Sequence, residues 1–264
     1  IGALLFAMQV IDFIFSPLTT IAMLHAELMS QKPIFQRGKD FVALPDQPKE
    51  LSGDPGTAIC LKNAVLCRPD GTPLIDIEDF SVEGCGLALI KGGNGCGKST
   101  LFNVLSGVFS ESQLKTGNEG RISISSRYRN DMGYLYYPNF IFKGTVKENV
   151  LCGREISDAD YKHVNNLLHL PPAEKEVQTK PENLSLGEKQ KIYLARLLTG
   201  GHECLLLDEP GSNLDDRTEE NLIREIEKLK ETTLILVISH NDRYDGIADW
   251  IYRIQDGKMT KERI

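Results

Sequence analysis

Short apolar runs alternate with helix-period segments over most of the chain. Residues 58–66, 87–90, 121–125 and 132–136 predict strands, while 98–105, 158–170 and 188–198 predict helices. Residues 217–230 predict an amphipathic helix with Leu222, Ile223, Ile226 and Leu229 on one face. Two further runs, 204–207 and 234–238, are apolar throughout rather than at every second position. A strand that is apolar on both sides must be covered on both sides, so the pattern implies an α/β fold with a mainly parallel core sheet and helices on each face.

The first residues follow a different rule. Seventeen of residues 1–24 are apolar, and no Lys or Arg occurs before Lys32. As a helix this stretch would be about 36 Å long, slightly more than a bilayer's hydrocarbon core. It reads either as a membrane-spanning helix or as a buried one. Asp12 is costly at mid-bilayer unless it faces protein or water. A signal peptide is disfavoured by the missing basic segment and cleavage site. Lys32, Arg37 and Lys39 fit a cytoplasmic exit. Pro33, Pro45, Pro48, Gly53 and Pro55 then mark a connector. The expected organisation is an apolar helical segment over 1–30, a linker over 31–55 and a folded domain over 56–264. The chain opens on Ile1 rather than Met, so upstream sequence is expected.

Composition narrows the function. Of 264 residues, 41% are hydrophobic and 25% charged, which excludes a disordered chain. The net charge of −7 argues against a nucleic-acid partner. Cys60, Cys67, Cys85, Cys96, Cys152 and Cys204 show no C-x-x-C spacing, and free thiols in a reducing compartment are expected.

The chemistry is concentrated after the predicted strand 87–90. Gly92-Gly93-Asn94-Gly95-Cys96-Gly97-Lys98-Ser99 matches G-x-x-x-x-G-K-[ST], and Thr100 continues into the predicted helix. Strand, glycine loop and helix in that order aim successive N–H groups and a helix N-terminus at phosphate oxygens. ATP is the expected ligand, with Gly92, Asn94, Gly95, Cys96, Gly97 and Thr100 around its phosphates. Lys98 would neutralise the β- and γ-phosphates and the Ser99 hydroxyl would ligate Mg²⁺. The partner of such a loop is an apolar strand ending in acids, and Cys204-Leu205-Leu206-Leu207-Asp208-Glu209 supplies it. Asp208 would share the Mg²⁺ and Glu209 would act as base toward an attacking water.

Asn183-Leu184-Ser185-Leu186-Gly187-Glu188-Lys189-Gln190 resembles the L-S-G-G-Q signature of ATP-binding-cassette (ABC) ATPases. Gly211-Ser212-Asn213-Leu214-Asp215 resembles the D-loop of that family and Ile238-Ser239-His240 its H-switch, all in the family's order. The resemblance implies a P-loop ABC-type ATPase with a helical subdomain, preceded by the last membrane helix of an exporter. It also implies a head-to-tail dimer of cassettes, in which Ser185 and Gly187 face the γ-phosphate on the partner and Asp215 supports the opposite site. His240 would hold the γ-phosphate or the water. The implied partners are a second cassette, most simply an identical one, and a transmembrane domain in the inner or plasma membrane, with the cassette on the cytoplasmic side.

The loop, together with Ser239-His240-Asn241-Asp242-Arg243-Tyr244, is similar to the cyclic-peptide and siderophore export branch. The short stretch between Gly120 and Met132 and the Leu-Ser-Leu-Gly-Glu variant are similar to the acyl-CoA and peptide-uptake branch. Two positions depart from the family. Arg68 stands where an aromatic residue stacks on adenine, and Tyr137 where a Gln contacts Mg²⁺. These departures keep two other readings open, a catalytically weak regulatory cassette and a soluble ABC protein outside transport.

Overall fold

The structure, a computed structural model, describes residues 57–109, 111–136, 140–179 and 182–262. The expected membrane helix and linker lie outside the described residues, as does Tyr137. Among the described residues no helix is long and apolar enough to cross a membrane.

The strands are β1 (Thr57–Cys67), β2 (Pro73–Glu83), β3 (Gly86–Gly92), β4 (Leu114–Ile124), β5 (Met132–Leu135), β6 (Gly144–Thr145), β7 (Glu176–Val177), β8 (Cys204–Asp208), β9 (Leu234–Ile238), β10 (Trp250–Gln255) and β11 (Lys258–Glu262). The helices are α1 (Lys98–Leu105), α2 (Ser126–Asn130), α3 (Val146–Leu151), α4 (Asp158–Leu168), α5 (Leu186–Leu198) and α6 (Asp216–Leu229), with a 3-10 turn over Asp242–Ile247.

One sheet of nine strands runs in the order β4-β1-β2-β11-β10-β3-β9-β8-β5. From β10 through β3, β9 and β8 to β5 every neighbour is parallel, as expected. In the rest of the sheet β11 pairs parallel with β2, while β1 pairs antiparallel with both β2 and β4, and β10 with β11, so the parallel expectation holds for the core and not for the whole sheet. The sheet is therefore mixed. β2 escapes a period-2 reading because its alternation slips at Glu78-Asp79, opposite Asn63, whose φ of 45° marks an irregularity in β1.

The apolar strands explain the two layers. Ala88 and Ile90 of β3, Leu206 of β8 and Leu234, Leu236 and Ile238 of β9 enter one core with α1. Leu87 and Leu89, Leu205 and Leu207, and Ile235 and Val237 enter a second core with α3, α4, α5 and α6. Successive side chains of a strand point to opposite faces, so each continuous run serves both layers. The carboxyl ends of β3, β8 and β9 come out side by side.

Candidate functional site

β3 delivers the chain to the phosphate loop and α1 carries it away. Gly97 sits between them with φ 106°, and a Cβ there would lie 2.8 Å from Leu74 and 2.9 Å from Ile75. Only glycine satisfies both the left-handed torsion and that close approach. Lys98, the first residue of α1, is almost fully buried, and its ammonium donates to the carbonyls of Gly92 and Gly93, each at 2.8 Å. Its third donor has only the Cys96 sulfur at 3.9 Å. A phosphate oxygen is a far better acceptor, so the lysine is held in place with capacity to spare.

β8 ends in Asp208, whose carboxylate faces the same cavity as the Ser99 hydroxyl. Burial pushes the Asp208 carboxyl above its ordinary value, against the opposing pull of Ser99, Lys98 and His240. Glu209 follows with φ 48°, a left-handed backbone that a β-strand end does not require, and its N–H donates to the Ile238 carbonyl at 2.9 Å. The torsion turns the chain off the sheet and leaves Glu209 Oε1 buried without a hydrogen-bond donor. Burial raises its pKa too, with His240 and Lys98 pulling down and Asp208 pushing up. His240 leaves β9 beside it, with Nε2 3.3 Å from Glu209 Oε1. A half-buried carboxylate beside a histidine, with one oxygen that accepts no hydrogen bond, is a base with free acceptor capacity.

These groups border one cavity of about 620 Å³. Arg68, Asn94, Gly95, Gly97, Lys98, Ser99, Thr100, Asp208, Glu209 and His240 line it, together with Pro69, Leu74, Phe109 and Ser212. Arg68 opens a tight turn in which Gly71 N–H donates to its carbonyl at 2.8 Å, and the residue lies at the cavity wall. Gly92 lines a neighbouring cavity of about 320 Å³ behind the loop. Sequence reasoning missed Phe109, a half-buried ring ten residues beyond Ser99, because nothing local distinguishes it from a core residue.

Ser185, Gly187 and Asp215 do not line this cavity. Ser185 caps α5 in a reciprocal box, accepting from Glu188 N–H at 3.1 Å while Glu188 accepts from Ser185 N–H at 2.8 Å. Asp215 caps α6 by accepting from Thr218 N–H at 2.9 Å and pairs with Lys191 at 3.1 Å. Those hydrogen bonds, Thr218 first, hold its carboxyl well below the usual carboxylate range. The two segments are bound to each other. A Cβ on Gly187 would lie 2.6 Å from the Asn213 carbonyl, and Gln190 donates to the Pro210 carbonyl at 3.3 Å.

A strand ending in a glycine loop that caps a helix, faced by an acid-terminated parallel strand, defines a phosphate-loop nucleotide-binding protein. The ABC transporter family model matches residues 77–212, and the chain belongs to that family. It is 27% identical over 287 residues to a probable ABC transporter ATP-binding/permease protein of Haemophilus influenzae, covering 98% of this chain and 52% of that protein. It is 29% identical over 213 residues to the ATP-dependent permease MDL1 of Candida albicans, covering 74% and 31%. A solved bacterial Atm1-family ABC exporter with ATP bound has the same fold, with a TM-score of 0.67 at 22% identity over 93% of this chain and 46% of that one. The chain thus spans about half or less of the length of these relatives.

Proposed function

We propose that this ABC-type ATPase hydrolyses ATP between two cassettes to drive export through a transmembrane domain, on the cytoplasmic side of the membrane. The observation that carries the reading is the convergence of Lys98, Ser99, Asp208, Glu209 and His240, from three neighbouring strand ends, on one cavity. Nothing in the acidic chain calls for nucleic acid.

Binding comes first. The loop amides and the α1 N-terminus attract the triphosphate, and Lys98 turns its weakly used donor to it. Adenine would rest against Arg68, whose planar guanidinium stacks on a flat ring. Ser99 and Asp208 are adjacent hard oxygen ligands, which fits Mg²⁺, a cation that takes few protein oxygens and fills its shell with phosphate and water. When bound, Mg²⁺ would neutralise charge on the phosphates. Glu209 accepts a proton from water as the water's oxygen attacks the γ-phosphorus and the bond to the β-phosphate oxygen breaks. His240 steadies the γ-phosphoryl group as it is transferred.

The site in one chain is incomplete on this reading. Ser185 and Gly187, at the α5 N-terminus, would serve the ATP held by the partner copy, and Asp215 would support that junction. ATP then favours the closed pair of cassettes over the open pair, and this difference in affinity is what can move a membrane domain.

Comparing phosphate release by the wild-type chain and Glu209→Gln tests the proposal. A loss of about 10² or more is expected from removing a positioned base. Equal low release by both proteins would eliminate hydrolysis and leave the regulatory, ATP-binding reading that Arg68 and Tyr137 favour.

A further inference from the structure

The residue that precedes the phosphate loop is a lysine buried at the end of an apolar strand. Lys91 keeps 7% of its side chain exposed, and its ammonium lies 2.7 Å from Asp242 and 2.6 Å from Asp245. Burial opposes the charge, and the two carboxylates outweigh burial, so Lys91 stays protonated above its ordinary value. Both acids belong to the 3-10 turn that starts two residues after His240. The same small cavity behind the loop is lined by Lys91, Gly92, Gly93, Ser239, His240 and Asp242.

Several tethers hold that turn, among them Lys230, whose ammonium donates to the Ile247 carbonyl at 2.8 Å, and Asp216, 2.6 Å from Arg243. On one side Glu219 of α6, itself nearly buried, accepts from Asn241 at 3.1 Å and from Arg243 at 2.9 Å. These contacts fix the turn to α6 and say nothing of the phosphate loop. On the other side stands Lys91, whose backbone continues directly into Gly92. A buried cation between two carboxylates costs more to leave unpaired than it gains when paired, so the arrangement serves geometry more than stability. Without the ammonium, Asp242 and Asp245 lose their direct cation and keep only the more distant pull of Arg253.

We propose that Lys91 is a positioning residue for ATP hydrolysis: by gripping Asp242 and Asp245 it fixes the turn that follows His240 against the strand that delivers the phosphate loop. The inference rests on the role given to His240 above. Lys91 lies outside the nucleotide cavity, so it acts on the rate and not on ATP binding.

The test measures kcat, affinity for a fluorescent ATP analogue and thermal midpoint on the full chain. Lys91→Met is expected to lose about tenfold or more in kcat, the scale of a sub-ångström to 1 Å misplacement, with affinity unchanged. Lys91→Arg should recover most of the rate. The double variant Asp242→Asn with Asp245→Asn should reproduce the loss, and adding it to Lys91→Met should cost little more. Asp242 is 89% exposed at its side chain, so if Lys91→Met fails to fold the acid pair decides alone. Wild-type kcat in Lys91→Met or in the acid pair, beside an inactive His240→Ala, overturns the inference and leaves the His240 role standing. A parallel fall in kcat and ATP affinity also overturns it. Undiminished turnover in His240→Ala overturns the role of His240 itself, and the inference with it.

Discussion

Replacing Gly187 by Ala tests whether the start of α5 and the loop before α6 move as one body. The added methyl would lie 2.6 Å from the Asn213 carbonyl oxygen, against a floor of 3.0 Å for real Cβ contacts, so one backbone must retreat by about 0.4 Å. Gly187 is within a helix, where Ala gains about 1 kcal/mol of propensity over Gly. Overpacking costs about 1–3 kcal/mol. The balance is a destabilisation of about 0–2 kcal/mol, which at about 2–4 °C per kcal/mol for a domain of this size lowers the thermal midpoint by no more than about 8 °C. Turnover should respond more strongly than stability. Ser185 lies two residues from Gly187, and Asp215 two from Asn213, so both groups assigned to the opposite site ride on the displaced backbones. With a rate penalty of up to about 10²-fold for a 1 Å misplacement, a shift of this size predicts a loss of about tenfold. The loop that holds ATP in the same chain is untouched, so nucleotide affinity should not change. Phosphate release, binding of a fluorescent ATP analogue and a thermal melt make up the assay. Turnover within about twofold of wild type would show that the contact transmits nothing, and an equal loss of affinity would place Gly187 at its own chain's cavity.

Two other outcomes follow from the same geometry. Burial raises the Glu209 carboxyl above its ordinary value, and a base works only when ionised, so kcat should fall as pH drops through a point above that of free glutamate. An acid limb at or below about 4.3 in the pH–rate profile refutes this. Asp215→Ala should cost about 1 kcal/mol in denaturant unfolding through the lost α6 cap, while Asp215→Asn keeps the cap and most of the stability. If the Asn variant matches wild type in stability but turns over ATP slowly, the charge itself acts across the cassette junction, whereas equal destabilisation by both refutes the capping assignment.

The elements that build the phosphate site were legible because their signals are local. α1 runs over the expected 98–105, and the apolar runs at 204–207 and 234–238 became β8 and β9, since strands covered on both faces have no polar positions to blur them. The end of the chain was legible and overlooked. Asp256-Gly257, with φ 50° and 73°, is the turn that joins β10 to β11, and the dipeptide is a strong hairpin signal. β2 was hidden by its slipped alternation. Other features had no local signal at all. Lys91 meets its acids across 151 and 154 residues of sequence, and the left-handed backbone of Glu209 is imposed by its hydrogen bond to the end of β9. Ser185 and Asp215 were legible as motif members, but their capping bonds show that each residue type is also what a helix start demands.

That double duty bears on how a cassette could be both stiff and responsive. Ser185 and Asp215 are fixed by their caps, and the segments they begin are locked together through Gly187 with Asn213, Gln190 with Pro210, and Lys191 with Asp215. The side of the chain proposed to meet a partner's nucleotide is therefore one body, set in place before any nucleotide arrives. The side that holds its own nucleotide is built differently. Glu209 is strained in backbone and short of hydrogen bonds, His240 is half exposed, and Lys98 has one donor weakly engaged. Unsatisfied groups at one half-site and satisfied ones at the other mean that arrival of a triphosphate changes the first and is merely received by the second. On the proposed pairing of two such chains, the free energy of closure would be concentrated at the nucleotide, which is what coupling to a membrane domain would require.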